Sequence, residues 1–184
     1  LENVRQFRTE ESEMSYLTAE QIESLLKECR NSSAEDLEII VKICLATGAR
    51  WSEAESLKRS QVSSGKITYI KTKGKKNRTI PISAELMGEL PKKNGALFTP
   101  CYYAFRNALD RAGIELPPGQ LTHVLRHTFA SHFMMNGGNI LVLQKILGHT
   151  DIKMTMRYAH FAPNHLEDAV RLNPLDCRKS VAST

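Results

Sequence analysis

The chain has 184 residues, 41% hydrophobic and 24% charged, which is typical of one soluble globular domain and excludes a disordered or fibrous chain. No apolar run approaches the roughly 18 to 20 residues needed to cross a bilayer, and the first residues lack the apolar segment of a signal peptide. We therefore expect a cytoplasmic protein without membrane contact. Four scattered cysteines, with no CxxC pair, predict free thiols. The net charge of +5 favours a polyanionic partner such as nucleic acid.

The sequence pattern predicts a mainly α-helical domain with one small antiparallel β-hairpin, an α+β fold. Thr18 as N-cap and Gln21 at the capping-box position begin the first helix, which runs to Arg30. Gly48 ends the second, which begins after Ser33. Two β-rich runs, 65–71 and 78–83, flank a polar, basic tip and predict the hairpin. Further helices are predicted over 50–57, 102–113, 122–138, 139–148, 151–160 and 164–172.

The string THVLRHTFASHF carries a possible functional face. Leu125, Phe129 and Phe133 recur at helical spacing and are expected to be buried, which turns the remaining positions toward another face. That second face comprises His123, Arg126, His127 and Ala130. Such a string alone also fits a solvated helix surface. Zinc binding by two histidines four residues apart is a further alternative, but the acidic residue that follows the first histidine in zinc proteases is missing.

Four more motifs stand far from this string: TGARWSEAESL around Arg50, a basic hairpin tip with Lys73, LGHT with His149, and RYAH with Tyr158. In this chain order, and together with the His-x-x-Arg at 123–126, they resemble the tyrosine recombinase family. The resemblance runs from about Leu17 to about Leu172. It is strongest toward integrases of temperate bacterial phages. It implies the catalytic fold of DNA breaking and rejoining enzymes.

The resemblance implies a site-specific DNA recombinase that works through a 3′-phosphotyrosine intermediate, with Tyr158 as nucleophile. Arg50 and Arg126 would neutralise the phosphodiester, because a guanidinium stays charged and offers a planar fork of donors. His149 would add a hydrogen bond to the phosphate. The family's base corresponds to His123.

The 5′-hydroxyl of deoxyribose is a poor leaving group and needs a proton. The resemblance assigns that proton to Lys73, although the neighbouring lysines are close enough to compete for the role. Glu53, one turn after Arg50, would support the site through an ion pair, with an exposed helix charge as the alternative. The remaining basic residues of the hairpin are expected to contact DNA phosphates, and these are Lys71, Lys75, Lys76 and Arg78.

The resemblance also divides the chain into three parts and implies its partners. Residues 1–16 would be a linker from an N-terminal DNA-binding domain, since a start at Leu1 suggests a fragment; residues 17–172 form the catalytic domain. Residues 173–184 would be a tail that docks on a neighbouring copy. The partners would be double-stranded attachment-site DNA, a homotetramer, and accessory DNA-bending and excision proteins in a bacterial host. No cofactor or metal is expected, since the sequence shows no P-loop and no carboxylate cluster.

Two other functions compete with recombination. A type IB topoisomerase or telomere resolvase uses the same constellation, but the phage-like strings favour an integrase. A DNA-binding regulator that kept only the fold would have lost Arg50, Arg126 or Tyr158, and all three are present. The sequence predicts that Arg126→Ala abolishes cleavage and leaves the fold intact.

Overall fold

The computed structural model describes residues 14–70 and 77–175 of the chain. Within these residues the chain forms nine α-helices and a three-stranded antiparallel sheet, which confirms the predicted fold class. The helices are α1 (Ala19–Arg30), α2 (Leu37–Thr47), α3 (Trp51–Glu55), α4 (Ala84–Glu89), α5 (Tyr102–Arg111), α6 (Val124–Met135), α7 (Ile140–Leu147), α8 (Lys153–Met156) and α9 (Asp168–Arg171). The strands are β1 (Val62–Ser63), β2 (Lys66–Tyr69) and β3 (Arg78–Pro81).

The ends of the first two helices follow from local chemistry. At α1 the Thr18 hydroxyl accepts from the Gln21 backbone N–H and the Gln21 side chain accepts from the Thr18 N–H, so the predicted capping box is confirmed. α2 ends at Gly48, whose φ of 65° is the predicted left-handed cap. It begins at Leu37, later than predicted, because the preceding Asp36 is engaged by the Thr99 backbone and hydroxyl.

The sheet contains the predicted hairpin and one strand more. β2 and β3 pair from Lys66–Pro81 to Tyr69–Arg78. The short β1 pairs with β2 across a tight turn at Ser64 and Gly65, both with positive φ, which matches the right-handed twist of the strands. β1 was not predicted because only two of its residues pair.

One helix was not predicted, and the predicted extents of the last two helices were wrong. α4 follows a Ser83 cap and was not predicted. Where one helix was predicted over 151–160, α8 ends at Met156 and a 3₁₀ turn covers Ala159–Phe161. Tyr158 lies between them, and its N–H donates to Thr155 only three residues earlier, which is the tighter 3₁₀ pattern. α9 is likewise confined to four residues of the predicted 164–172 helix.

Two hydrophobic clusters hold these elements together. The large cluster joins α1, α2, α3, the sheet, α5 and the start of α6, with side chains such as Leu25, Ile40 and Phe105 fully buried. The small cluster lies on the other side of α6. Its buried members are Ala130, Met134, Leu143, Leu147 and Tyr158, with Met14, Phe129, Phe133, Ile140 and Phe161 packed around them.

α6 is therefore buried on more than the face that the sequence predicted. Leu125 is buried as expected, whereas Phe129 and Phe133 are only partly buried. Arg126 and Ala130, which were assigned to a separate functional face, are buried as well. The helix lies between the two clusters, and this explains why it has no simple polar side.

Two further expectations can be compared with the described residues. Cys29, Cys44 and Cys101 are buried free thiols, as predicted, while Cys177 lies outside the described residues. None of the helices in residues 14–70 and 77–175 combines the length and the apolar composition that a membrane span requires.

Candidate active site

Arg126 lies at the centre of the site and is 5% exposed. Its guanidinium donates to the Gly48 carbonyl at 2.7 Å and to the Leu147 carbonyl at 2.6 Å. These carbonyls stand at the C-terminal ends of α2 and α7, where unpaired carbonyl groups carry partial negative charge. Arg126 therefore ties three helices together. Burial, followed by the charge of Arg50, lowers the pKa of Arg126 to about 10, so the group remains a cation at neutral pH.

His149 extends the site from the loop after α7. Its Nε2 lies 3.2 Å from the Arg126 guanidinium and its Nδ1 lies 2.8 Å from the hydroxyl of the fully buried Thr155. An arginine only donates, so Nε2 accepts and, in the neutral ring, Nδ1 carries the hydrogen. Both nitrogens thus fix the orientation of the ring.

Arg50, paired with Glu53 at the start of α3, supplies a second positive charge to the site. Arg50 is 40% exposed in its side chain, and its guanidinium lies 3.5 Å from the Glu53 carboxylate. Glu53 also accepts the Arg50 backbone N–H at 2.9 Å. Arg50 is therefore held at its base while its charged end faces solvent, where an anion can reach it.

Arg78 is the second partner of Glu53. Its guanidinium donates twice to the carboxylate, at 2.9 and 2.6 Å, and stacks 4.6 Å above the Tyr69 ring centre. Burial alone would raise the pKa of Glu53, but the hydrogen bonds and charges of Arg78 and Arg50 lower it to about 2. Glu53 is therefore ionised and pairs with both arginines, the kind of contact that the sequence predicted.

The expectation that Arg78 contacts DNA is corrected by this geometry. The side chain is 5% exposed because the pairing of Tyr69 with Arg78 turns it toward the interior, where Glu53 neutralises it. Arg78 supports Arg50 through Glu53 instead of facing the solvent. The four lysines expected at the hairpin tip, namely Lys71, Lys73, Lys75 and Lys76, lie outside the described residues.

Tyr158 is buried, with 2% of its surface exposed. Its hydroxyl lies 2.7 Å from Nδ1 of His127. Burial raises the pKa of Tyr158, while the charges of Arg126 and Arg157 oppose that rise. The phenol therefore keeps its proton at neutral pH in the absence of DNA.

His123, at the N-cap of α6, is exposed, and its ring centre lies 6.0 Å from that of His127. Burial, followed by the charges of Arg50 and Arg126, lowers the pKa of His123. Among the described residues the hydrogen-bond partner of the Tyr158 hydroxyl is His127 and not His123. The structure thus brings together Arg50, Glu53, His123, Arg126, His149 and Tyr158.

Sequence reasoning missed two side chains that touch this set. His127 was placed on the possible functional face but was given no catalytic role; its position four residues after His123 was the available signal. Thr155 gave no signal, because a threonine in a predicted helix has no distinguishing pattern. Among residues 14–70 and 77–175 there is no group of three or more potential metal-binding side chains.

Comparison with known proteins places the chain in a family. The model of the phage integrase family matches residues 15–93 and 100–165. The integrase of Escherichia phage 186 is 72% identical over 176 residues, covering 95% of this chain and 52% of that protein. The chain belongs to the phage integrase family, and it spans about half the length of the curated integrases of phages 186 and HP1.

Solved structures agree with this assignment. The catalytic domain of bacteriophage HP1 integrase superposes with a TM-score of 0.86 at 67% identity, covering 89% of this chain and 97% of that domain. The XerH site-specific recombinase, in a post-cleavage complex with its difH substrate, superposes with a TM-score of 0.66 at 26% identity. That match covers 86% of this chain and 53% of XerH.

Proposed function

We propose that this chain is the catalytic part of a site-specific DNA recombinase that cuts and rejoins DNA through Tyr158 during phage integration and excision. The observation that carries the proposal is the group of side chains around Arg126. Arg126 is a buried cation that contacts His149. Arg50 and Tyr158 are close enough to Arg126 to influence its pKa. A phosphodiester is an anion, and its transition state gathers further charge on the nonbridging oxygens. Fixed cations are the groups that stabilise it.

The proposed catalytic residues among 14–70 and 77–175 have roles that their geometry supports. Arg50 offers an exposed guanidinium and Arg126 has five N–H groups, two of which go to the helix carbonyls. His149 would hydrogen-bond a phosphate oxygen through Nε2, which requires this nitrogen to carry a hydrogen instead of accepting from Arg126. Tyr158 attacks phosphorus and leaves a 3′-phosphotyrosine, and Lys73 protonates the departing 5′-oxygen. The phosphodiester energy is retained in the new bond, so rejoining needs no ATP or other cofactor.

The wider assembly also belongs to the proposal. The substrates would be double-stranded attachment sites, bound by a tetramer with accessory DNA-bending and excision proteins in the cytoplasm of the bacterial host. Residues 1–16 would connect to an N-terminal DNA-binding domain. DNA as partner is supported by the XerH structure, which contains its difH substrate.

The C-terminal segment supports docking between copies. After Tyr158 the chain exposes four large apolar side chains at 59 to 76% of their surface: Leu166, Val170, Leu172 and Leu175. Exposed apolar side chains that recur along a short segment are typical of a surface that another molecule covers. We infer that this segment and the tail at 173–184 dock on a neighbouring copy.

Covalent trapping tests the reaction. Nicked duplexes of pooled sequence, in which cleavage releases a short end and prevents rejoining, are incubated with the chain, and adducts are identified by denaturing gel and peptide mass spectrometry. We expect an adduct on Tyr158 that is absent from Tyr158→Phe. An adduct on another residue, or an undiminished adduct in Tyr158→Phe, would refute the assignment.

A further inference from the structure

The environment of the Tyr158 hydroxyl raises the question of where its proton goes. Attack on phosphorus requires the phenol to lose that proton, and a side chain that is 2% exposed has almost no contact with solvent. Little of this side chain is therefore open to water in this arrangement. A group that already touches the oxygen is the direct route for the proton.

His127 is that group. Its Nδ1 is 2.7 Å from the Tyr158 hydroxyl, which is hydrogen-bond distance for proton transfer to a general base. The ring is half-buried, on the same face of α6 as His123. The ring centres of His127 and Tyr158 are 6.0 Å apart, as are those of His123 and His127. The three side chains thus form a row from the buried phenol to the exposed His123.

Burial and nearby positive charge keep the His127 ring neutral before DNA binds. Burial, followed by the charges of His123, Arg157 and Arg126, lowers the pKa of His127 to about 4. A neutral imidazole has one nitrogen with a free lone pair, so it is able to accept a proton at pH 7.

We propose that His127 is the immediate acceptor of the Tyr158 proton in strand cleavage, and that His123 is the next group on the path to solvent. This proposal rests on the proposed function. In the step, a lone pair of the phenolic oxygen forms the bond to phosphorus while the phenolic proton moves to Nδ1 of His127. The bond from phosphorus to the 5′-oxygen breaks, its electron pair stays on that oxygen, and the general acid supplies the oxygen with a proton.

A weakly basic imidazole is sufficient for this role. The phenolic proton becomes far more acidic as the oxygen shares its electrons with phosphorus, so transfer and attack proceed together. The phosphodiester also brings a negative charge next to a group surrounded by cations. That charge favours the protonated form of His127 and offsets part of what burial and the arginines disfavour.

The first test measures covalent adduct formation on the nicked duplex pool with His127→Asn. The asparagine amide oxygen can still accept a hydrogen bond from Tyr158 but does not take up its proton, so positioning is retained and basicity is lost. We expect the rate of adduct formation to fall about 100- to 10,000-fold, the usual contribution of a general base. His165→Asn, an exposed histidine outside the site, is the matched control and is expected to react like the parent chain.

The opposite result has a clear meaning. If the hydrogen bond only keeps Tyr158 buried, His127→Asn and His127→Ala would form adduct as fast as the parent chain or faster, and the proposal would be overturned. Thermal unfolding of each variant excludes a loss of fold as the cause of a lower rate. A parent chain that forms no adduct at all would contradict the proposed function, and the step assigned to His127 would fall with it.

A second test needs no DNA. Nitrogen-15 NMR of the histidine rings reports which nitrogen carries the hydrogen. We expect a neutral His127 with the hydrogen on Nε2 and a bare Nδ1 whose chemical shift changes in Tyr158→Phe. A hydrogen on Nδ1 would mean that His127 donates to the phenol, and would exclude it as acceptor even if the chain cleaves DNA normally.

Discussion

The two halves of the site belong to different hydrophobic clusters. Arg50 and Glu53 stand on the large cluster, where α2, α3 and the sheet enclose fully buried side chains and Glu53 ties Arg50 to Arg78. Tyr158 belongs to the small cluster, which has only five buried side chains, four of them on α6 and α7. Arg50, proposed to bind the phosphate, thus stands on the larger cluster, whereas Tyr158, the proposed nucleophile, belongs to the smaller one, where we expect local opening to cost less free energy.

Gly48 and Arg126 join the two halves. A Cβ added to Gly48 would lie 2.6 Å from Phe129 and 2.9 Å from Leu147, both in the small cluster, while Gly48 itself ends a helix of the large one. Its carbonyl accepts from Arg126, which also holds Leu147. The residue proposed to bind phosphate is thus also the residue that joins the two clusters.

Arg126→Ala is expected to have the largest effect, because it removes the side chain that links the two clusters. Cleavage should be lost, and two helix-end carbonyls should be left without their donor, at a cost of about 2–4 kcal/mol in the free energy of unfolding. The structure thus revises the expectation from sequence that the fold stays intact. Urea denaturation measures the cost, with the exposed Arg171→Ala as a control expected within about 0.5 kcal/mol of the parent chain. Unchanged stability in Arg126→Ala would show that the two clusters do not depend on this residue.

Glu53→Gln tests the ion pairs that hold Arg50 and Arg78, and it is expected to have the next largest effect. The substitution leaves the buried Arg78 without its counter-charge, and the free energy of unfolding should fall by about 2–3 kcal/mol. This is less than the loss expected when a fully buried ion-pair partner is removed, because the glutamine amide still accepts one hydrogen bond. Glu89→Gln, at a more exposed carboxylate, is the control, and its unfolding free energy should change by less than about 1 kcal/mol.

Glu53→Gln should also change how the stability of the chain depends on pH. The pKa of Glu53 is about 2 in the folded chain and about 4.3 when unfolded, so its contribution to stability is present above pH 4.3 and is lost as the pH falls toward 2. The parent chain should therefore lose more stability than Glu53→Gln across that window. Parallel stability curves for the two proteins would contradict the assigned ion pair.

What could be predicted from sequence was local or was carried by motifs. The capping box at Thr18, the end of α2 at Gly48 and the β2–β3 hairpin depend on neighbours within a few residues, and all three are confirmed. Arg50 and Tyr158, 108 positions apart in the numbering, were grouped only by the family resemblance. Local patterns alone would not have brought them together.

What could not be predicted depended on packing between distant segments. Arg78 looks like one more solvated cation of a basic hairpin, and only the strand register and Glu53, 25 residues away, make it a buried ion-pair partner. The contact of His127 with Tyr158 spans 31 residues and depends on where α8 ends. A helical pattern could not show that the chain tightens into a 3₁₀ turn at that tyrosine.

Tyr16 offers the smallest expected effect and the sharpest test of the small cluster. Its ring meets those of Phe161 and His132 edge-on, at 5.1 and 6.1 Å, so the segment that enters the domain braces the turn just after Tyr158. Tyr16→Ala should lower global stability by only about 1 kcal/mol. It should speed amide hydrogen exchange at residues 158–161 more than exchange in α2, and Tyr16→Phe should restore the slower exchange because the ring is kept. Tyr103→Ala, at a tyrosine that is 78% exposed on α5, should leave both regions unchanged. If Tyr16→Ala speeds hydrogen exchange equally in α2 and at residues 158–161, the two clusters open as one unit. Tyr158 would then not move independently of the large cluster.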